Sequence, residues 1–396
     1  MIPPVPAGYR PLRVAVIGCG RIGASAHLPA FAAAAASGRC TLVGVCDLDP
    51  ARAEPAAMQF NTTAFTSVDA LLEQVRPEVV SLATLPPSHL ALTRRVLDAG
   101  CHVLCEKPVA MNAAEAAAMV AAAERADRLL SICFEYRYWD EARYVRERIA
   151  AGDLGHVYAI RTWGGSTHGL PDDPARYRRA SAGGGVLTHW TIHNLDLALW
   201  LLGEPEPAMA AAFCHRRPGP EGARPGMIAA EAADDEDVEI EDFATGLVRL
   251  RGGTVVTVEA NWLQPPSARP EGWEILGDRG AASISPLRLR TVHDGVWTDG
   301  TPPAGSLAPC DYDMSRLMAG FLDSVAAGGP APVSGEAIVR IQRLMDALYE
   351  SDAAGRQVSL SQGANGAASH ARDGTAGQLM PTTPRALREA PVNARE

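Results

Sequence analysis

Short apolar runs alternate with alanine-rich, helix-like segments over the first third of the chain. The runs that predict strands are 12–17, 41–46, 79–83, 101–105 and 129–134. The segments that predict helices are 24–36, 51–60, 68–74, 88–99 and 113–126. Strands that alternate with helices are typical of a parallel, doubly wound sheet. We therefore predict an α/β domain over residues 1–135.

The pattern changes after residue 136. Later strand-like runs lie at 156–164, 245–250, 254–262, 273–276, 282–284 and 287–292. Helices are predicted at 143–150, from the glycines at 183–185 to Leu202, and at 314–326 and 336–351. Because few helices separate the later strands, they indicate a large, open, mostly antiparallel sheet in an α+β domain over 136–360. An open sheet needs its second face covered, so we expect a homodimer or homotetramer formed through this sheet.

Composition excludes several classes of protein. The net charge of −10 disfavours nucleic acid and anionic membranes as partners. No apolar run approaches the roughly 20 residues of a membrane span, and the N-terminus lacks the pattern of a secretory signal. The eight cysteines form no CxxC motif, which favours reduced thiols in a cytoplasmic protein. We expect a solvated acidic loop at 215–236 and a disordered tail at 361–396.

A glycine-rich hexapeptide follows the first predicted strand. It has the pattern G-x-G-x-x-G and consists of Gly18, Cys19, Gly20, Arg21, Ile22 and Gly23. Gly18 permits a tight turn, Gly20 lets the backbone approach a pyrophosphate, and Gly23 lets the helix pack closely on its strand. The helix N-terminus offers free N–H groups to phosphate. Since the hexapeptide follows a strand and opens a helix, it predicts a dinucleotide site in a Rossmann domain.

Asp47 ends the second predicted strand. A carboxylate at this position accepts hydrogen bonds from the adenosine ribose and repels a 2′-phosphate, which favours NAD. Arg52 could bind a 2′-phosphate, so NADP stays an alternative. After the third strand, the prolines at 86 and 87 fix a rigid turn that suits the nicotinamide ribose. We expect Thr84, Pro86 and His89 to line the cofactor, with His89 hydrogen-bonding locally rather than acting as a base.

Lys107 follows the fourth predicted strand and precedes Pro108. Proline biases the residue before it towards extended geometry, and ligands of open α/β sheets bind beyond the carboxyl ends of the strands. The Lys107 ammonium is therefore aimed at the expected site, where it could stabilise a developing alkoxide. Glu106 could orient Lys107 or bind a cofactor hydroxyl.

Several segments together resemble the Gfo/Idh/MocA oxidoreductases. They are VAVIGCGRIG, VGVCDLDP, ATLPPSHLAL, HVLCEKPVA, HNLDLALWLLG and ALYESDAAGRQV, in this order over residues 13–358. The resemblance implies a Rossmann domain, a C-terminal domain whose open sheet serves oligomerisation, and pyridine-nucleotide chemistry on sugars, cyclitols or related polyols. It also implies that Lys107, in the E-K-P motif, is catalytic.

His189, His193 and Asp196 follow the three glycines at spacings that predict one helical face. The family usually has an aspartate at the position of His189 and a histidine at that of His193, so the resemblance implies that His193 is the general acid/base. Asp196 could orient it. His189 could recognise an acidic sugar, act as the base itself, or join His193 and Asp196 in a metal site. We expect no metal, because the glutamate of H-E-x-x-H is absent.

Further residues are candidates for substrate binding. Tyr136 and Trp163 could stack on a sugar ring, and Arg137 and Arg178 could bind a carboxylate or phosphate. The predicted function is an NAD(P)-dependent dehydrogenase of a sugar, sugar-acid or cyclitol hydroxyl, with Lys107 and His193 as a proton relay assisted by His189. One alternative is a redox-neutral glycosidase or epimerase that retains its NAD. Another is a non-catalytic regulator that senses a sugar or a dinucleotide.

Overall fold

The structure is a computed structural model. It describes residues 5, 8–166, 177–216, 238–262, 264, 271–308 and 313–360. The described residues up to Leu360 form one compact unit. The predicted tail at 361–396 and most of the predicted acidic loop at 215–236 lie outside the described residues.

Six strands form the first sheet, and every pair of neighbours in it is parallel. They are β1 (Leu12–Ile17), β2 (Cys40–Cys46), β3 (Ala64–Phe65), β4 (Val79–Leu82), β5 (His102–Cys105) and β6 (Leu130–Ile132), in the spatial order β3-β2-β1-β4-β5-β6. The predicted doubly wound sheet is confirmed. The chain leaves β1 in one direction and returns to β4 on the other side. The carboxyl ends of these two strands therefore flank the crevice in which such sheets bind ligands.

Five α-helices connect these strands. They are α1 (Leu28–Ala36), α2 (Pro50–Gln59), α3 (Val68–Val75), α4 (His89–Asp98) and α5 (Ala113–Ala126). The side chains of Asp49, Ser67 and Asn112 cap α2, α3 and α5 by accepting hydrogen bonds from free backbone N–H groups. The first predicted helix differs in its start, since a π-helical turn, Gly23–His27, precedes α1.

Nine strands form the second sheet. They are β7 (Val157–Gly165), β8 (Pro207–His215), β9 (Phe243–Leu250), β10 (Val255–Asn261), β11 (Gly272–Gly277), β12 (Gly280–Ile284), β13 (Arg288–His293), β14 (Val296–Asp299) and β15 (Val358–Ser359). Their order is β14-β13-β12-β11-β7-β10-β9-β8-β15. Among the described strands only β7 and β10 pair in parallel, which confirms the mostly antiparallel sheet. The alanine-rich β8 was not predicted, because alanine favours strands weakly.

Five helices accompany the second sheet in the chain. They are α6 (Asp140–Ala150), α7 (Arg179–Ala182), α8 (Ile192–Leu201), α9 (Ser315–Ala327) and α10 (Gly335–Ala354). Helices α8 and α10 pack on one face of the sheet. Helix α9 packs against α1 instead, where Phe321 joins the core around Phe31. A segment predicted in the second domain thus completes a layer of the first.

The described cysteines are free thiols, as expected: Cys19, Cys40, Cys46, Cys101, Cys105, Cys133 and Cys214. None of the helices in the described ranges is both long and apolar enough to cross a membrane. The cytoplasmic location stays a prediction.

Candidate active site

The glycine hexapeptide forms a tight loop between β1 and the first helix. Gly18 has a φ of +99°, which favours glycine. A Cβ on Gly23 would lie 1.9 Å from the Gly18 carbonyl oxygen, so a larger residue could not pack there. A Cβ on Gly20 would meet only the Arg52 Nη1, at 3.8 Å. The space beside Gly20 is therefore open, and the predicted cofactor residues Arg21 and Ile22 follow this glycine in the chain. The loop fits the pyrophosphate of a dinucleotide.

Asp47 joins this loop to the end of β2. Its Oδ2 accepts a hydrogen bond from the Cys19 N–H at 2.8 Å, and its Oδ1 accepts one from the Asp49 N–H at 3.0 Å. The carboxylate is half-buried beside the glycine loop, where it retains lone pairs for ribose hydroxyls. Arg52 is exposed and lies 3.6 Å from the Asp49 carboxylate.

The turn after β4 is held by its own side chains. Pro86 is buried in a short 3₁₀ turn, and the Thr84 and Ser88 hydroxyls hydrogen-bond at 2.7 Å. His89 is fully buried, and its ring nitrogens lie 3.1 Å from the Thr84 and Pro108 carbonyl oxygens. Burial lowers the pKa of His89 despite these bonds. The cofactor contact predicted for His89 is corrected here as far as the side chain is concerned. That side chain has no exposed surface, and it ties this turn to the segment after Lys107.

Glu106 is buried beneath the site. Its Oε1 lies 2.9 Å from His27 Nε2, and its Oε2 accepts a hydrogen bond from the Lys107 N–H at 3.0 Å. Burial alone would raise the pKa of Glu106, but the His27 hydrogen bond and the Lys107 charge bring it below its usual value. Of the two predicted roles, these contacts favour orienting Lys107 over binding a cofactor hydroxyl.

His27, Glu106 and Cys133 each bring one potential metal-ligand atom within 4.8 Å of the others. All three are buried. His27 Nδ1 is also within hydrogen-bond distance of the Ser81 hydroxyl, at 2.8 Å. Burial raises the pKa of the Cys133 thiol well above its usual value, which opposes the thiolate that metals bind. Hydrogen bonds account for this cluster.

Lys107 reaches from the end of β5 to the second half of the chain. Its ammonium donates a hydrogen bond to the main-chain carbonyl of His189 at 3.1 Å. His189 lies in a π-helical turn, Leu187–Thr191, which leads into α8. The structure therefore brings together Lys107, His189 and His193, although the predicted single helix is a π turn followed by an α-helix. Such turns occur often at functional sites.

A buried carboxylate holds the start of this turn. Glu241 accepts hydrogen bonds from the Gly185 and Leu187 N–H groups at 2.9 and 3.1 Å, and from the Tyr349 hydroxyl at 2.8 Å. A Cβ on Gly185 would lie 2.0 Å from the Glu241 carbonyl oxygen. Glycine at 185 is therefore required by close approach.

His193 is buried in an aromatic and acidic environment. Its Nδ1 lies 3.4 Å from Glu135 Oε2, and its ring stacks on Tyr136 with centroids 4.8 Å apart. Burial lowers the pKa of His193 well below its usual value, and the charges of Lys107 and His189 act in the same direction. The imidazole is therefore neutral and able to accept a proton.

Two buried carboxyl groups at this site were not predicted. Burial raises the pKa of Glu135 to about 8, although the nearby Lys107 charge opposes the rise. Burial likewise raises the pKa of Glu271 to about 7, against the hydrogen bond that it accepts from Trp190 Nε1 at 2.8 Å. Glu135 follows a strand of the first sheet, as Lys107 does, so the same positional argument could have found it.

Asp196 and Arg137 pair with each other. The Arg137 Nη2 and Nε donate to the two Asp196 carboxylate oxygens at 2.6 and 2.8 Å, and both side chains are buried. This corrects the expectation that Asp196 orients His193: among the described residues Asp196 pairs with Arg137, and the carboxyl group beside His193 Nδ1 is that of Glu135. The substrate contacts predicted for Arg137 and Asp196 stay predictions. Both side chains are buried, and the pair ties the 3₁₀ turn Glu135–Tyr138 to α8.

The other substrate candidates lie in different surroundings. Tyr136 is at the site, stacked on His193, with its hydroxyl 3.2 Å from Glu271 Oε1. Trp163 lies opposite Glu259 in the sheet, and both point away from the helices, whereas the adjacent Gly164 faces Trp190. The structure thus separates Trp163 from the histidines, because successive strand residues face opposite sides. Arg178 is half-exposed and lies 3.6 Å from Glu239.

Comparison with known families decides what kind of protein this is. Residues 12–134 match the model of an oxidoreductase family with an NAD-binding Rossmann fold, and residues 142–283 match the GFO/IDH/MocA C-terminal domain. Together the two matches cover more than half of the chain.

The chain belongs to the Gfo/Idh/MocA oxidoreductase family.

Two curated relatives extend over most of this oxidoreductase. A D-glucoside 3-dehydrogenase of Escherichia coli is 29% identical over 88% of the chain and 98% of its own length. A dTDP-3,4-didehydro-2,6-dideoxy-alpha-D-glucose 3-reductase of Streptomyces violaceoruber is 32% identical over 86% of the chain and 96% of its own length. A solved levoglucosan dehydrogenase in complex with NADH shares the fold, with a TM-score of 0.77 at 22% identity over 89% of the chain and all of that protein.

Family membership agrees with the geometry of the nucleotide loop. The oxidoreductase binds NAD, as predicted, through its Rossmann domain. The open space at Gly20 and the half-buried carboxylate of Asp47 suit the pyrophosphate and the adenosine ribose of that cofactor.

Proposed function

We propose that this oxidoreductase is an NAD-dependent dehydrogenase of a secondary hydroxyl on a sugar, sugar acid or cyclitol. We further propose that Lys107 and His193 carry the hydroxyl proton, with His189 assisting. One observation carries the proposal: the Lys107 ammonium lies against the turn that holds His189, one helical turn before His193. An ammonium and a neutral imidazole beside a nicotinamide site are the groups that alcohol oxidation needs.

The sequence strengthens the assignment of Lys107. It is the only lysine in the chain, and every other residue of the Lys and Arg class is an arginine. Arginine stays protonated in proteins, whereas a partly buried lysine can exchange its proton. Lysine thus occurs only where the proposed relay requires it.

Bound NAD would supply the hydride acceptor. The residues of this chain then have two tasks. The Lys107 ammonium stabilises negative charge on the substrate oxygen, and it relays the hydroxyl proton by giving one of its own protons to neutral His193 as it takes up the hydroxyl proton. The lowered pKa of His193 keeps the imidazole unprotonated before the transfer. It also makes the ring a weaker base, so the imidazolium that forms needs a negative group beside it.

The names of the two relatives suggest which substrates to test first. Both concern position 3 of a hexose ring, one as a 3-dehydrogenase and the other as a 3-reductase. We therefore infer that a pyranose C3 hydroxyl is the first substrate to test, with glucosides ahead of inositols and uronic acids.

The open face of the second sheet supports a further part of the proposal, namely a homo-oligomer formed through this sheet. Phe213 and Trp297 are 67% and 60% exposed on its strands. The side chain of the adjacent Ala212, by contrast, is buried, and its N–H donates to Ser351 of α10. Apolar side chains on a face that none of the described helices covers suit a second copy of the chain.

A substrate panel tests the proposed activity. Glucosides, aldoses, inositols and uronic acids would be incubated with NAD and scored by NADH absorbance. Accumulation of NADH with a glycoside, lost in Lys107→Met, is the expected result. Turnover without net NADH would favour the redox-neutral glycosidase or epimerase. Binding without any turnover would favour the sensor. Either of the latter outcomes would overturn the dehydrogenase.

A further inference from the structure

His193 has one ring nitrogen directed at a single acidic group. Its Nδ1 lies 3.4 Å from Glu135 Oε2. Both side chains are more than nine-tenths buried, and Nδ1 has no hydrogen-bond partner in the described part of the chain, so Glu135 lies beside it without a formed hydrogen bond. At 3.4 Å the contact is longer than a good hydrogen bond. Catalytic hydrogen bonds are often long before substrate binds and shorten in the complex.

Three consecutive residues fix the position of this pair. Glu135 faces His193, Tyr136 stacks on its ring at an interplanar angle of 26°, and Arg137 forms the two-bond ion pair with Asp196. All three lie on one 3₁₀ turn, and both partners lie on α8. The turn therefore sets the position of His193, the plane of its ring and the acidic group at Nδ1.

We propose that Glu135 is a positioning residue that supplies the carboxylate support for His193. This inference rests on the proposed function and deepens it. The resembling proteins usually carry an aspartate where this chain has His189, so the acidic partner of the general base would here come from the turn after β6 instead of from the helix.

The pairing fixes which nitrogen accepts the proton. When Glu135 is ionised, it accepts the Nδ1–H of His193, and Nε2 keeps its lone pair for the relayed proton. The proton from Lys107 then moves to Nε2, and the carboxylate stabilises the resulting imidazolium. When Glu135 is protonated, its O–H donates to Nδ1, the ring proton moves to Nε2, and the acceptor is lost.

The pair therefore predicts a pH dependence for oxidation. Glu135 is faced by Lys107 and Glu106 from the end of β5, by Glu271 before β11, and by His193 from α8. Burial, and to a smaller extent the negative neighbours, raises the pKa of Glu135 to about 8, and Lys107 opposes the rise. Oxidation should accelerate as pH rises through this value, because the active form has Glu135 ionised.

Variants at two buried carboxyl groups test the assignment. Glu135→Gln keeps the shape but cannot ionise, so we expect kcat for oxidation to fall about 100-fold, with little change in KM, and the rise near pH 8 to disappear. Glu271→Gln is the matched control, and it should retain the rise at a lower pH, because one negative neighbour of Glu135 is removed. If Glu135→Gln keeps the rise, or if Glu271→Gln alone removes it, Glu135 does not position the base.

A measurement without substrate separates this inference from the proposed function. Histidine-selective ¹⁵N spectra, assigned with His193→Gln, report which ring nitrogen of His193 carries the proton. We expect Nδ1–H above pH 8 and a change of tautomer as Glu135 becomes protonated, and we expect Glu135→Gln to abolish this change. A tautomer insensitive to pH and to Glu135→Gln would overturn the inference. If the tautomer responds while no sugar is oxidised, the proposed substrate class fails and the Glu135–His193 pair stands.

Discussion

The Lys107 ammonium donates a hydrogen bond to the main-chain carbonyl of His189, at 3.1 Å. The two residues are 82 positions apart in the chain, and they connect the first sheet to the helix that carries His193. This single contact gathers the proposed proton-handling groups at the carboxyl ends of the parallel strands.

Lys107→Arg tests whether a fixed charge is enough at this position. Arginine keeps the positive charge but does not give up its proton in proteins. We expect kcat for the oxidised sugar to fall about 100-fold or more, while the Kd for NAD, measured by titration calorimetry, changes less than about threefold. Retention of wild-type kcat would contradict the proton relay and leave Lys107 a purely electrostatic role.

Asp47→Asn should change cofactor choice. The variant removes the charge that favours ribose hydroxyls and repels a 2′-phosphate, so we expect about tenfold weaker binding of NAD and a smaller preference for NAD over NADP. The matched control is Asp49→Asn, because asparagine caps α2 as well as aspartate does. Equal effects of both variants on the ratio of the two Kd values would remove Asp47 from cofactor recognition.

Removing one partner of the buried Arg137–Asp196 pair should destabilise the protein more than replacing both partners by apolar residues. Asp196→Asn leaves the buried Arg137 charge with less negative charge beside it. We therefore expect the free energy of unfolding, measured in urea, to fall by about 3 kcal/mol. Replacing both residues by Met and Leu should recover much of that loss. Asp153→Asn, which breaks the half-exposed pair with Arg148, is the control and should cost less than about 1 kcal/mol. A loss of similar size in both single variants would indicate that burial does not decide the cost.

Phe213→Asp should weaken the proposed oligomer. A charge introduced on the open sheet face would have to be buried against a second copy. Light scattering after gel filtration should then report a smaller assembly than for the wild type. Met58→Asp, at an exposed position on α2 away from this sheet, should leave the assembly unchanged. If the assembly formed by Phe213→Asp has the mass of the wild type, Phe213 does not lie in the interface.

Local signals predicted the features that depend on neighbouring residues. The glycine loop, Asp47 and Lys107 each lie where a strand ends, and strand ends can be found from apolar runs. The partners of Arg137 could not be predicted, because Asp196 is 59 positions away and a bidentate pair depends on how the turn meets α8. The position of Trp163 relative to the histidines could not be predicted for a related reason. A strand pattern separates two faces without indicating which face the helices cover.

Glu135 could be predicted only in part from the sequence. Its position after β6 is a local signal, but its importance depends on burial and on the direction of the His193 ring, which only the folded chain supplies. The resemblance drew attention to the aspartate missing at His189, and the structure offers a carboxylate from another element.

The hydrogen bond between Lys107 and the His189 carbonyl also sets the cost of loading substrate. In the free protein the ammonium already has an acceptor of the same chemical kind as a sugar hydroxyl. An arriving hydroxyl can therefore exchange with the carbonyl, one acceptor replacing another, with little net loss of hydrogen bonding. When product leaves, the ammonium would again donate to the His189 carbonyl. This carbonyl therefore accepts the Lys107 hydrogen bond between turnovers, when no substrate is bound.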